Sequence, residues 1–236
     1  MKNITSEYLD DVLVRLAHHS SAIEGNTISL ADTVSIILHG TIPGAPSKRE
    51  FYEIDNHRGA FEYVLECVRN DEPLSISLVN RIHRLLMDRL VHDAGKFKQH
   101  DNAILGSDLV TASVTQTPML MQQWVENTEY QLLQATSDEG KIEVIVASHI
   151  EFEKIHPYSD GNGRTGRMII NFLLFKHGSF PLIIKGEQRK AYINYLANDD
   201  RTSFTRFAKE LIAVEADRGQ RFLNKEAMAK EVKPND

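Results

Sequence analysis

Cysteine is almost absent from this chain: Cys67 is alone among 236 residues. A single thiol cannot close an internal disulfide or build a cysteine-rich metal site, and the pattern fits a reducing compartment. Long hydrophobic runs are missing as well, and no uninterrupted apolar stretch approaches the length of a membrane span. The opening residues carry Glu7, Asp10 and Asp11 where a signal peptide would be basic and then apolar, so a cytoplasmic protein with no membrane partner is expected. A basic excess is the third absence. Lys and Arg number 27 against 33 Asp and Glu, a net charge of -6, which removes the general positive field of many nucleic-acid binders.

What is present is an ordinary globular composition, 42% hydrophobic and 25% charged, in a chain long enough to bury one substantial core. Apolar residues fall at helical spacing over residues 5–22 through Tyr8, Val12 and Leu16, and Gly25 and Asn26 stop that helix. Ser29 resembles an N-cap for a short helix that ends at Gly40. Ser47 and Glu50 form a capping-box pattern that opens a long helix reaching about residue 69. Further helices are predicted over 77–90, 118–135, 138–155, 163–177, 187–197 and 202–224. Between His92 and Pro118 the helical pattern lapses, and short β-prone pieces predict a hairpin near 103–115. The last residues, from 225 to 236, are rich in Lys, Glu, Pro and Asp and are expected to fray.

The chemistry concentrates in His156, Pro157, Tyr158, Ser159, Asp160, Gly161, Asn162, Gly163, Arg164, Thr165, Gly166 and Arg167, a loop entering a helix between two apolar helical patterns. Gly161 and Gly163 around Asn162 let backbone N–H groups converge on an anion, with the positive end of the next helix aimed at the same place. Arg164 and Arg167 lie three apart, so both guanidinium forks reach one polyphosphate. Asp160 is a hard oxygen ligand suited to Mg²⁺ that arrives with phosphates. His156 is an imidazole able to take a proton from an attacking hydroxyl. Each feature alone is commonplace; their fixed order is not.

That order resembles the signature of Fic proteins, in which a His, an aromatic, an acidic residue and Gly-Asn-Gly-Arg-x-x-Arg follow one another. The family commonly has Phe where Tyr158 stands. The resemblance implies a mostly α Fic-fold helical core with a β-hairpin flap, and a protein adenylyltransferase that moves AMP from ATP, with Mg²⁺ or Mn²⁺, onto a Tyr, Thr or Ser hydroxyl. Carried over, His156 would be the base, Asp160 the metal ligand, and Gly161, Asn162, Gly163, Arg164 and Arg167 the phosphate site. Tyr192 and Asp200 would belong to the adenine pocket, Asp200 replacing a frequent Asn. Ala103, Ile104, Leu105 and Gly106 would form flap residues that dock a target protein by strand addition.

A second stretch, from Ser20 through Glu24, Gly25 and Asn26, resembles the Fic inhibitory pattern. It implies that Glu24 pairs with Arg167, that Ser20 holds its helix to the motif, and that removing Glu24 releases AMP transfer and self-modification. The expected organisation is then an inhibitory helix over 1–28, a Fic core over 29–224 and a tail over 225–236. Two other readings remain open: an enzyme that removes AMP with Glu24 positioning water, and a non-catalytic nucleotide-sensing module. A homodimer or higher oligomer also stays open. Too few residues follow 224 to build a winged helix, so no nucleic-acid partner is expected.

Overall fold

A computed structural model describes residues 4–42, 44–102 and 111–231. The described residues are mostly helical and contain no β-strand. In chain order the helices are α1 (Ser6–Ile23), α2 (Leu30–His39), α3 (Lys48–Arg69), α4 (Ile76–Leu86), α5 (Thr117–Gln134), α6 (Asp138–Ile155), α7 (Asn162–Lys176), α8 (Arg189–Ala197) and α9 (Arg201–Glu231).

Their starts follow from local chemistry. Thr5, Ser29, Ser47, Ser75 and Ser137 each cap a helix by accepting from a backbone N–H that the helix itself leaves unpaired. Ser47 and Glu50 complete the expected capping box. Gly40 ends α2 in the left-handed conformation with φ 63°.

Helix α7 is the centre of the fold. Met168 through Phe175 are all buried, as are Asn162, Arg164 and Arg167 in its first turns. A helix apolar on every side must be surrounded, and α7 packs against α3, α4 and α6, with α1 crossing near its beginning. The cationic N-terminal turn of α7 is thereby fixed inside the molecule. Helix α1 shares the same core through Tyr8, Val12, Leu16 and Ala17, and lies against α2, α3 and α9.

Two helix bounds differ from the sequence expectation, and a third expectation lies mostly outside the described residues. Helix α4 stops at Leu86 rather than near residue 90, because Met87 through Leu90 close in turns. Helix α9 runs to Glu231, so residues 225–231 continue a helix where fraying was expected. Most of the expected hairpin, including Ala103, Ile104, Leu105 and Gly106, lies outside the described residues; 111–113 have no regular structure and 114–116 form a turn.

Candidate active site at the start of α7

The loop between α6 and α7 is locked by its own side chains. Helix α6 ends when His156 turns into the left-handed region, φ 51°. The Tyr158 N–H then donates to Asn162 Oδ1 at 2.9 Å, and Asn162 Nδ2 donates back to the Tyr158 carbonyl at 2.8 Å. Asn162 therefore closes the loop like a clasp. Tyr158 is fully buried, stacks on His83 with ring centroids 3.6 Å apart, and donates its hydroxyl to Asn80 Oδ1 at 2.7 Å. The added hydroxyl of Tyr158 thus has the partner that burial demands.

Gly161 starts α7 with φ 79°, and a Cβ there would fall 2.4 Å from Met87 Sδ. Both the conformation and the space require glycine. A Cβ on Gly163 would meet Glu24 Oε1 at 2.4 Å and Arg167 Nη1 at 2.9 Å. A carboxylate from α1 therefore rests directly against the first turn of α7, where backbone N–H groups and the helix dipole favour an anion.

Arg167 holds that carboxylate. Its Nη2 donates to Glu24 Oε1 at 2.6 Å and to the Ser20 carbonyl at 2.9 Å, and its Nε donates to Ser20 Oγ at 3.0 Å. Ser20 thus touches the arginine itself rather than the loop. Burial alone would raise the Glu24 carboxyl, but Arg167, then Arg164 and Arg189, hold it below its ordinary value. Arg189 also fixes the end of α1 by donating from Nε to the Ile23 carbonyl at 2.6 Å. Ser21 and Asn26 tie the same end to α3 through Glu53 and Glu50. Gly25 follows Glu24 with φ 98° and turns the chain away.

Arg164 is differently placed. It lies 3.4 Å from both Glu53 Oε1 and Asp160 Oδ1, but its buried Nε has no hydrogen-bond partner. A buried guanidinium with a donor to spare calls for an acceptor. Asp160 accepts from the Gly161 N–H at 2.6 Å and from Arg49 Nη2 at 2.6 Å. Burial opposes its ionisation, while Arg49, Arg164 and the Gly161 N–H overcome that and keep the carboxyl low. No group of three or more His, Cys, Asp or Glu able to hold a metal occurs among the described residues. One carboxylate beside an anion nest suits an ion that brings its other ligands as phosphate oxygens and waters, as Mg²⁺ does.

His156 is partly buried, with Nδ1 3.3 Å from the Glu153 carbonyl. Burial pushes its imidazole down to about 4, with the Glu153 carbonyl opposing and Lys98 adding to the fall. At neutral pH the ring is an uncharged base.

Tyr192 comes to the site from behind. It is fully buried, its hydroxyl lies 2.7 Å from His149 Nε2, and the Arg167 guanidinium sits 5.8 Å from its ring centroid. It supports the arginine. Asp200 is remote from this cluster in its contacts: its carboxylate accepts from the Ser203 N–H at 3.0 Å and begins α9. Tyr195 stacks on Phe204. Arg49, Glu53, His83, His149 and Glu153 were not singled out from sequence. The spacing of His149, Glu153 and His156, four and then three residues apart on one helix, was the available signal.

Residues 73–174 match the Fic/DOC family. A protein adenylyltransferase Fic from Drosophila willistoni is 31% identical over 196 residues, which cover 80% of this chain and 38% of that protein. The chain belongs to the Fic/DOC family. A relative of the same name from Nematostella vectensis is 32% identical over 186 residues, 76% of this chain and 41% of that protein. The chain thus spans about two fifths of the length of the curated relatives it matches. The fold of a Fic-domain-containing signalling protein from Bacteroides thetaiotaomicron matches with a TM-score of 0.77 at 22% identity, over 100% of this chain and 95% of that one. Within this Fic core no described helix is long and apolar enough to cross a membrane.

Proposed function

We propose that the protein is an autoinhibited adenylyltransferase that transfers AMP from ATP to a hydroxyl of a target protein. The observation that carries this reading is Glu24 on Arg167, a carboxylate of the chain's own lying against Gly163 at an anion-binding helix start.

In the active arrangement ATP phosphates take the position beside Gly161, Asn162 and Gly163, and Arg164 supplies its spare donor. Asp160 would hold Mg²⁺, which when bound offsets phosphate charge. His156 Nε2 removes the hydroxyl proton, the freed oxygen attacks the α-phosphorus, and pyrophosphate leaves. Arg164 and Arg167 stabilise the charge that develops on the leaving group. Arg167 can do so only when Glu24 has left it, so the same guanidinium serves inhibition and catalysis in turn. A bias of 99 to 1 towards the inhibited state needs about 2.7 kcal/mol.

Adenine would lie on the side of α8, and the target would dock on the expected flap near 103–115, presenting a Tyr, Thr or Ser. Relatives named protein adenylyltransferase support the reaction class.

The test is incubation of wild type, Glu24→Gly and Glu24→Gly/His156→Ala with Mg²⁺ and ATP, followed by intact-mass measurement. A gain of one AMP in Glu24→Gly, little or none in wild type and none in the double variant is expected. Equal labelling of wild type and Glu24→Gly would remove autoinhibition. No adduct on the chain or on proteins of a lysate, with ATP bound, would favour AMP removal or a binding module.

A further inference from the structure

Glu153 has no part in the reaction as set out above, yet it stands beside the base. The residue is buried, 6% exposed, on the last turn of α6. Its main-chain carbonyl lies 3.3 Å from His156 Nδ1, and its carboxyl Oε2 is 4.0 Å from the same nitrogen. The other oxygen, Oε1, makes no hydrogen bond and is 3.8 Å from His149 Nε2. A Cβ on Gly166 would come within 2.5 Å of Oε1. Glycine at 166 is what leaves room for this carboxyl.

The groups facing Glu153 are His149 and His156 on its own helix, Arg167 from α7 and Glu24 from the end of α1. Those facing His156 are Lys98, Glu24 and Asp160 in addition to Glu153. The charged partners of Arg167 and those of the base therefore meet at one buried carboxyl.

We propose that Glu153 is a positioning residue for His156: its carbonyl fixes the ring tautomer, and its carboxyl, once ionised, steadies the imidazolium formed in the reaction. The proposal rests on the AMP-transfer reading. With the Nδ1 proton directed at the Glu153 carbonyl, the Nε2 lone pair is free to take the proton of the target hydroxyl. The O–H bond breaks as the new N–H bond forms at Nε2, and the oxygen–phosphorus bond replaces the α-phosphorus to pyrophosphate bond. The ring then carries a positive charge shared with Nδ1, and a carboxylate about 4 Å away in a buried setting lowers the energy of that state.

Burial pushes the Glu153 carboxyl up to about 8, with Arg167 pulling down and Glu24 pushing up. At neutral pH it is mainly the acid. His156 is already uncharged there, so a rate that climbs through mildly alkaline pH would report Glu153 and not the base.

The experiment compares Glu24→Gly with Glu24→Gly/Glu153→Gln, a change that keeps shape and removes ionisation. AMP transfer at saturating ATP is followed from about pH 6.5 to about pH 9.5, and the ring nitrogens of His156 are titrated by NMR without nucleotide. In the parent, which lacks the Glu24 charge that pushes Glu153 up, the rate should rise with an apparent midpoint below the value near 8 of the intact chain, and the His156 shifts should show an inflection over the same interval. The Gln variant should lose both, and its kcat should be about tenfold lower at the alkaline end with KM for ATP unchanged. Persistence of the alkaline rise and of the NMR inflection in the Gln variant overturns the proposal. If the parent transfers no AMP but the inflection still depends on Glu153, the contact stands and the AMP-transfer reading alone falls.

Discussion

At the residue scale, the closest ionic partner of Arg167 is a carboxylate from the end of α1. Glu24 reaches the arginine because α1 ends where it does, with Ser20 accepting two further bonds from the same guanidinium. The pairing has a pH signature. Burial raises the Glu24 carboxyl, the surrounding arginines outweigh burial, and the folded value falls below the ordinary 4.5. A depressed carboxyl contributes stability that is fully present above its unfolded value and is lost as pH falls through the folded value. Wild type should therefore melt higher than Glu24→Gln at neutral pH, and the difference should shrink as pH falls below about 4.5. A gap in Tm that stays constant down to the acid limit would show that the charge is not what Arg167 holds.

At the residue scale the motif was legible because its chemistry is contiguous. Asp160, Gly161, Asn162, Gly163 and Arg164 need only one turn of chain to converge. Glu53 was not legible: it reaches Arg164 from α3, which the sequence places more than a hundred positions away. Glu153 was half visible, spaced correctly from His156 but set in an apolar pattern that reads as core.

At the element scale, α1 is held at both ends. Its far end is pinned by Arg15, whose Nη1 and Nη2 bond the two oxygens of Glu215 on α9 at 2.5 and 2.7 Å. Tyr8 donates to Glu215 Oε2 at 2.9 Å, and Asp11 pairs with both Arg15 and Arg218. Glu215 is 5% exposed, so truncating it removes both Arg15 bonds to its carboxylate and the Tyr8 bond to Oε2, leaving Arg15 to Asp11 and Tyr8 to the Glu215 main-chain carbonyl. Glu215→Ala should destabilise the protein by about 2 kcal/mol. Self-modification should also rise relative to wild type, because α1 carries Glu24. Chemical denaturation and intact mass on one sample check both; a loss of stability without a rise in labelling would separate the α1 to α9 clamp from inhibition.

The helices themselves were largely readable, since Ser29 and Ser47 cap them by local hydrogen bonds and Gly40 stops one. The misjudged ends have a common cause. Helix α9 continues past residue 224 because Lys, Glu and Ala favour helix as readily as disorder, and α4 is cut short by turns at Met87 that carry the chain across Gly161.

At the scale of the whole molecule, burying the start of α7 puts several imidazoles in the interior. Burial pushes His57 and His149 down to about 3, and His83 and His156 down to about 4, with neighbouring arginines adding to the fall for the first three. In the unfolded chain each titrates near its ordinary 6.5. Below that pH the unfolded state binds more protons, so stability falls as the solution is acidified from about 6.5 towards about 4. By pH 5.5 each buried imidazole should subtract about 1 kcal/mol. Urea midpoints at pH 7.5 and pH 5.5, about two units apart, measure this. Glu153, raised to about 8, gains stability over the same interval and offsets part of the loss, so the comparison is made in Glu153→Gln, where an unchanged midpoint would mean that these rings are charged in the fold.

The sequence by itself determined the family, most helix starts and the glycine-rich loop before α7, because caps, glycines and arginines act over a few residues. The tertiary structure alone decided what those residues face. Glu24 meets Arg167 across 143 positions of chain, Tyr192 backs the arginine instead of standing open, and Asp200 caps α9. Such contacts depend on how helices cross around α7, and crossing geometry is set by the packing of the whole core rather than by any local pattern.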